Sequence, residues 1–178
     1  STTFTDQSIY AHTVTANGNA AISTAQSKFG GSSAAFDGTG DWLSASAAPL
    51  ALGSGDWTVE FWFYASADNV TYNLFESRST TASTNGITIQ KRDTNVISVG
   101  TSAVVITGTA SISAGNWYHV AVSKQSGSTR LFVDGTQDGS TYSDSNNYSN
   151  ATIRLGANVD GNAPLNGYID SLRITKGA

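Results

Sequence analysis

Between Thr58 and Tyr64 the chain reads Thr-Val-Glu-Phe-Trp-Phe-Tyr, and parity sorts its side chains into two sets: Val59, Phe61 and Phe63 on one side, Glu60, Trp62 and Tyr64 on the other. Successive side chains of a strand point to opposite faces, so this run reads as a strand with one dry face and one mixed aromatic and polar face. The pattern repeats. Tyr118, Val120 and Val122 oppose Trp117, His119 and Ser123, and Leu131 and Val133 oppose Arg130 and Phe132. Alternation of period two excludes an amphipathic helix and requires a partner layer to cover the dry face.

From Ser33 onward such runs recur, at residues 34–36, 41–46, 56–64, 72–77, 86–91, 96–99, 104–107, 116–124, 130–133, 152–156 and 167–175. The dipeptides Asp37-Gly38, Asn85-Gly86, Asp134-Gly135, Asp160-Gly161 and Asn166-Gly167 punctuate them. Each pairs a residue tolerant of left-handed backbone with one that carries no Cβ. Many short strands with turn signals at close spacing define an all-β sandwich or jelly roll. A length of 178 residues suits one such domain, covering 1–178. No segment shows sustained helical periodicity. The polar stretch Tyr142–Asn150 reads as an exposed loop between hairpins.

Composition narrows the partners. A net charge of −4 with only 9 Lys and Arg leaves no basic stripe to neutralise phosphates, so nucleic acid is a poor partner. No apolar run approaches the length of a membrane-spanning helix, and membrane insertion is not expected. With no Cys there is neither a disulfide nor a thiolate metal site, and stability must come from the core or from an oxygen-ligated ion. The absence of Met, even at position 1, suggests a domain of a longer polypeptide.

Several segments together resemble the laminin-G-like jelly-roll family, which shares the concanavalin A-like lectin and glucanase fold. They are Phe36-Asp37-Gly38-Thr39-Gly40-Asp41-Trp42-Leu43, Asp56-Trp57-Thr58-Val59-Glu60-Phe61-Trp62, Asn116-Trp117-Tyr118-His119-Val120-Ala121-Val122, Leu131-Phe132-Val133-Asp134-Gly135 and the closing Gly167-Tyr168-Ile169-Asp170-Ser171-Leu172-Arg173-Ile174. Asp6-Gln7-Ser8 with His12 resembles the family's first strand. The resemblance implies a two-sheet antiparallel β-sandwich. Function follows less directly, because the family includes glycan-binding modules, adhesion domains and accessory domains of virion proteins.

The enzymatic branch of that fold carries its acids on one strand as Glu-x-Asp-x-(x)-Glu. This chain has only two Glu, Glu60 and Glu76, and neither begins that pattern. A glycosidase needs two carboxylates flanking the scissile bond, so no catalytic residue is assigned and the chain reads as a non-enzyme. By position, Asp6, Gly38 and Asp170 resemble the ligands of the structural calcium ion found in related lectins and glucanases; read alone, Asp37-Gly38 is a bare turn and Asp170 the cap of a bulge. Calcium is therefore the one cofactor expected, in a structural role.

Aromatic rings stack on sugar faces while amides and carboxylates bond hydroxyls. The mixed face offers Glu60, Trp62, Tyr64, Trp117, His119 and Arg130 as a glycan platform, and the loop adds Tyr142, Asp144, Asn146 and Tyr148. Trp42 and Trp57 are alternatives, and His119 could equally be a packed strand residue. The expectation is an extracellular carbohydrate-binding or adhesion module of a cell surface or virion, whose partner is a surface glycan or polysaccharide. The alternative is a structural domain, such as part of a tail fibre, that meets another protein.

Overall fold

The computed structural model describes residues 1–177. In chain order its strands are β1 Thr15–Asn17, β2 Ala21–Ser23, β3 Ser33–Asp37, β4 Trp42–Ser46, β5 Trp57–Ala65, β6 Tyr72–Glu76, β7 Thr88–Lys91 and β8 Ile97–Gly100. They continue with β9 Val104–Thr107, β10 Trp117–Gln125, β11 Ser128–Val133, β12 Thr136–Gln137, β13 Tyr142–Ser143, β14 Thr152–Leu155 and β15 Asn166–Lys176. One 3-10 turn, Ala48–Leu50, is the only helical element among the described residues.

The strands form two sheets, one ordered β1-β4-β14-β6-β7-β8-β9 and the other β12-β11-β10-β5-β15-β3-β2, with β13 added beside β11. Every strand pairing is antiparallel. The expected two-sheet antiparallel β-sandwich of jelly-roll type is the observed fold. The order is not sequential: β15, the last strand, lies between β5 and β3.

The parity argument decides which face meets the other sheet. On β5, Trp57, Val59, Phe61 and Phe63 are wholly buried, and the side chains between them are only half-buried. Val120 and Val122 of β10 and Leu131 of β11 join them, and Ile87, Ile89, Ile97, Val99 and Ile106 face them from the other sheet. At about 1.5–3 kcal/mol for each large apolar side chain removed from water, this layer is what holds the sheets face to face. The mixed face of β5 and β10 is therefore the outer face.

Turn chemistry closes the hairpins. Asp134 (φ 48°) and Gly135 (φ 81°) form a two-residue link between Val133 and Thr136, which are directly paired. The expectation for the N-terminus is corrected. Asp6 and His12 lie before the first strand, in an excursion closed by a bridge between Thr5 and Thr13. It is held there because the Asp6 carboxylate accepts the backbone N–H of Ser8 (2.8 Å) and of His12 (2.8 Å).

Gly167 sits where β15 crosses β5 so closely that a Cβ would overlap the Tyr64 carbonyl oxygen. Gly167→Ala is expected to destabilise the protein by about 1–3 kcal/mol, the range for overpacking a close contact. Urea unfolding checks this, and an unchanged midpoint would mean that the two strands have slack to give.

Candidate functional site

The outer face of the β10-β5-β15 sheet is built in rungs set by register. His119, Trp62 and Asp170 form one rung, Trp117, Tyr64 and Tyr168 the next, and Ala121, Glu60 and Arg173 the one on the other side. The cross-strand neighbours touch. Trp62 and His119 have ring centroids 5.3 Å apart, Tyr64 and Trp117 5.8 Å, and Tyr64 and Tyr168 5.7 Å in an edge-to-face arrangement. Such aromatic pairs hold each other's rotamers and leave ring surface toward solvent.

Arg173 enters this face through a bulge. The register of β15 against β5 shifts between Asp170 and Arg173, where Ser171 adopts φ 54°. Without the extra residue, strict alternation would send Leu172 outward and Arg173 inward. With it, the Arg173 side chain reaches Glu60, donating from Nε at 2.6 Å. The other Glu60 oxygen lies 3.1 Å from His119 Nε2. Both oxygens of this carboxylate are thereby engaged.

Lys28 and Phe29 reach the site from the segment between β2 and β3. Asp170 Oδ2 accepts both of their backbone N–H groups, at 2.9 and 3.0 Å. This clamp sets Lys28 Nζ 3.9 Å from the centre of the Trp62 ring and Phe29 edge-on to the same ring at 5.9 Å. On the opposite side Asp134, in the β11–β12 turn, accepts the His119 N–H at 2.8 Å. A shallow depression of about 450 Å³ results, lined by Lys28, Trp62, Trp117, His119 and Asp134.

Of the ten residues expected to bind a glycan, the structure brings Glu60, Trp62, Tyr64, Trp117 and His119 together in and beside this depression. Arg130 shares the outer face but stands opposite Ser123, two rungs from Trp62 and on the far side of β10. Lys28, Phe29, Asp134, Tyr168 and Arg173 belong to the neighbourhood without having been singled out as site residues. The alternatives fall elsewhere: Trp57 is in the core, and Trp42 is on the other sheet beneath the Arg154 guanidinium, 5.4 Å away.

The Tyr142–Asn150 segment is not the exposed loop expected of it. Asp144 and Tyr148 are buried, 2% and 1% exposed, and form an internal polar cluster. Asp144 Oδ2 accepts hydrogen bonds from Thr129 Oγ1 and Tyr148 OH, both at 2.7 Å, and its other oxygen accepts the Asn146 N–H at 3.0 Å. The Lys124 ammonium stands 3.7 Å from the same carboxylate and donates to the Asn146 carbonyl. Burial alone would raise the Asp144 carboxyl, but these donors and the Lys124 charge outweigh it and hold it below the usual range. Burial pushes the Tyr148 phenol up, and the Asp144 carboxylate it bonds pushes it further. Tyr142 pairs with Thr129 from β13, and Asn146 Nδ2 bonds back to Asp144. The segment turns inward because a buried Lys and the Trp57 ring, 5.7 Å from Tyr148, need its polar and aromatic groups. It offers no wall to the depression.

The calcium ligand set does not converge either. Gly38 packs against Asn166, four residues before Asp170 on β15, which at the rise of a strand is about 13 Å. Calcium ligands must all stand within about 2.6 Å of the ion. Asp170 spends its oxygens on Lys28, Phe29 and Ser171, and Asp6 spends its own on Ser8 and His12. No cluster of three His, Asp or Glu occurs among the described residues. Gly38 and Asp170, at different heights along β15, are not brought to one point.

The fold is thus a jelly-roll sandwich with a cluster of aromatic side chains on the outer face of one sheet. A laminin G family model, described as the concanavalin A-like lectin/glucanases superfamily, matches residues 37–178, and the chain belongs to that family. No curated protein matches it significantly in sequence.

Solved structures share the fold. Domain 4 of AbnA, an extracellular arabinanase from Geobacillus stearothermophilus solved in complex with arabinotriose, superposes with a TM-score of 0.70 at 22% identity, over 94% of this chain and 83% of that one. The botulinum neurotoxin serotype C1 binding domain gives 0.72 at 14% identity, over 99% and 47%. Domains LG4-5 of the mouse laminin alpha1 chain give 0.59 at 15%, over 79% and 40%. The chain spans less than half of the toxin and laminin structures.

Asp144→Asn leaves Lys124 buried without its counter-charge, and a loss of about 3–5 kcal/mol is expected, as for breaking a buried pair. Because the folded-state carboxyl is lowered, its contribution is present above the unfolded pKa of about 3.9 and is lost as pH falls through the lower folded value. Chemical denaturation of wild type and variant at neutral pH and near pH 3 checks both. The gap between them should narrow in acid.

Proposed function

We propose that this chain is a non-catalytic carbohydrate-binding module and that the depression at Trp62 and Trp117 is where the saccharide lies. The observation that carries the reading is the convergence of two outward-facing Trp rings, one charged donor and one carboxylate around a single shallow basin. Stacked rings bury sugar C–H faces, and the polar rim satisfies hydroxyls. The arabinotriose complex of AbnA domain 4 adds support from a relative of similar size.

The chain's two Glu serve as ion-pair partners. Glu60 is held by Arg173 and His119, and Glu76, on the other sheet, is gripped by Arg78 through Nε (2.8 Å) and a terminal nitrogen (2.7 Å). Glu60 has both oxygens engaged by Arg173 and His119, and Glu76 is on the other sheet, which favours binding over hydrolysis. No described helix is long and apolar enough to cross a membrane. An extracellular setting, where polysaccharide is met, agrees with the extracellular arabinanase among the relatives.

Calorimetric titration with short neutral oligosaccharides, arabinotriose among them, tests the reading. Trp62→Ala with Trp117→Ala should weaken binding by about 1.4 kcal/mol or more, a factor of ten. The melting temperature should move little, because both side chains are on the outer face. If the double variant binds as wild type does, the platform is not the site.

A further inference from the structure

The Trp62 ring is already occupied. Lys28 Nζ lies 3.9 Å from its centre, the geometry of a cation–π contact. This is not a surface lysine at rest on whatever lies near it: Asp170, on the same rung as Trp62, takes the backbone N–H groups of both Lys28 and Phe29 and aims the side chain at the ring. Gly30 and Gly31 follow, both with positive φ and with nothing packed against the position of a Cβ. The ammonium is held through its backbone, and its side chain is free to leave the ring without breaking the clamp.

The charges around the ring point the same way. Asp134 lines the basin, is exposed, and gives one oxygen to the His119 N–H; among the described residues the other oxygen accepts no hydrogen bond. Glu60 stands on the next rung of the same face. The chain as a whole carries −4. An electron-rich ring in a basin that also holds a carboxylate is a receptor for an organic cation, and Lys28 is the cation it holds when nothing else is bound.

Resting on the reading of this basin as a saccharide site, we propose that its ligands are glycans bearing free, protonated amino groups, and that Lys28 is a built-in competitor for the Trp62 face. A protonated amino sugar replaces the lysine ammonium like for like, bringing its own ammonium to the Trp62 face in the basin that Asp134 lines. An N-acetylated or neutral sugar must displace the cation and supplies none in return.

The test compares the glucosamine trimer with the N-acetylglucosamine trimer by calorimetry at about pH 6, below the usual range of such amines. The same buffer serves for every variant because His119 faces the same basin. Wild type should prefer the free-amine trimer. Lys28→Ala should tighten its binding by about two- to fivefold, the worth of an exposed cation–π contact, whereas Lys28→Arg, which keeps a cation on the ring, should not. Asp134→Asn should weaken the free-amine trimer more than the acetylated one.

In 5-fluorotryptophan-labelled protein without ligand, the Trp62 resonance should shift in Lys28→Ala and stay near its place in Lys28→Arg. Equal affinity for the two trimers, or weaker binding by Lys28→Ala, overturns the proposal while leaving the saccharide site standing. Binding of no saccharide by any form overturns both.

Discussion

Everything in this molecule is referred to the inner face of β5. Val59, Phe61 and Phe63 are wholly withdrawn from water at the middle of their sheet, and because strand side chains alternate, burying them obliges Glu60, Trp62 and Tyr64 to face out. A slip of one residue in register would exchange the sets, drowning a carboxylate in the core and exposing two Phe. The core therefore enforces the platform. The aromatic basin is the reverse side of the hydrophobic layer.

That linkage explains how much could be read from the amino acids. Strands β3 to β11, β14 and β15 follow from alternation and Asp-Gly or Asn-Gly turns, and the five central platform residues follow from parity on two strands. What escaped depends on long-range geometry. Lys28 reaches Trp62 only because Asp170 clamps its backbone across 142 positions of sequence. Arg173 turns outward only because a bulge at Ser171 breaks the period. The short β1, β2, β12 and β13 carry too few residues for a period to register.

The Tyr142–Asn150 segment teaches the converse. Its Ser, Asp and Asn content is that of a solvated loop, yet Asp144 is buried because Lys124, on the inner face of β10, is buried too. A charge inside a sandwich needs an answer, and the answer comes from a segment whose composition signals only polarity. Gly38 and Asp170 show a related effect. Residues that match by order along the chain stand at different heights on β15, and their carboxylates are turned to nearby backbone N–H and hydroxyl groups.

The placement of β15 between β5 and β3 also dictates when the basin comes into being. Trp62 pairs with a residue 57 positions downstream, His119, and with one 108 positions downstream, Asp170. Both contacts are non-local, and the loop-closure entropy they cost is met only after the sheets have begun to pack. A growing chain that has passed Asp134 already contains both Trp rings and the carboxylate that lines their basin. It cannot seat Lys28 until Asp170 has arrived and docked, so the aromatic face stays bare through most of folding and is capped as the last strand closes the sheet.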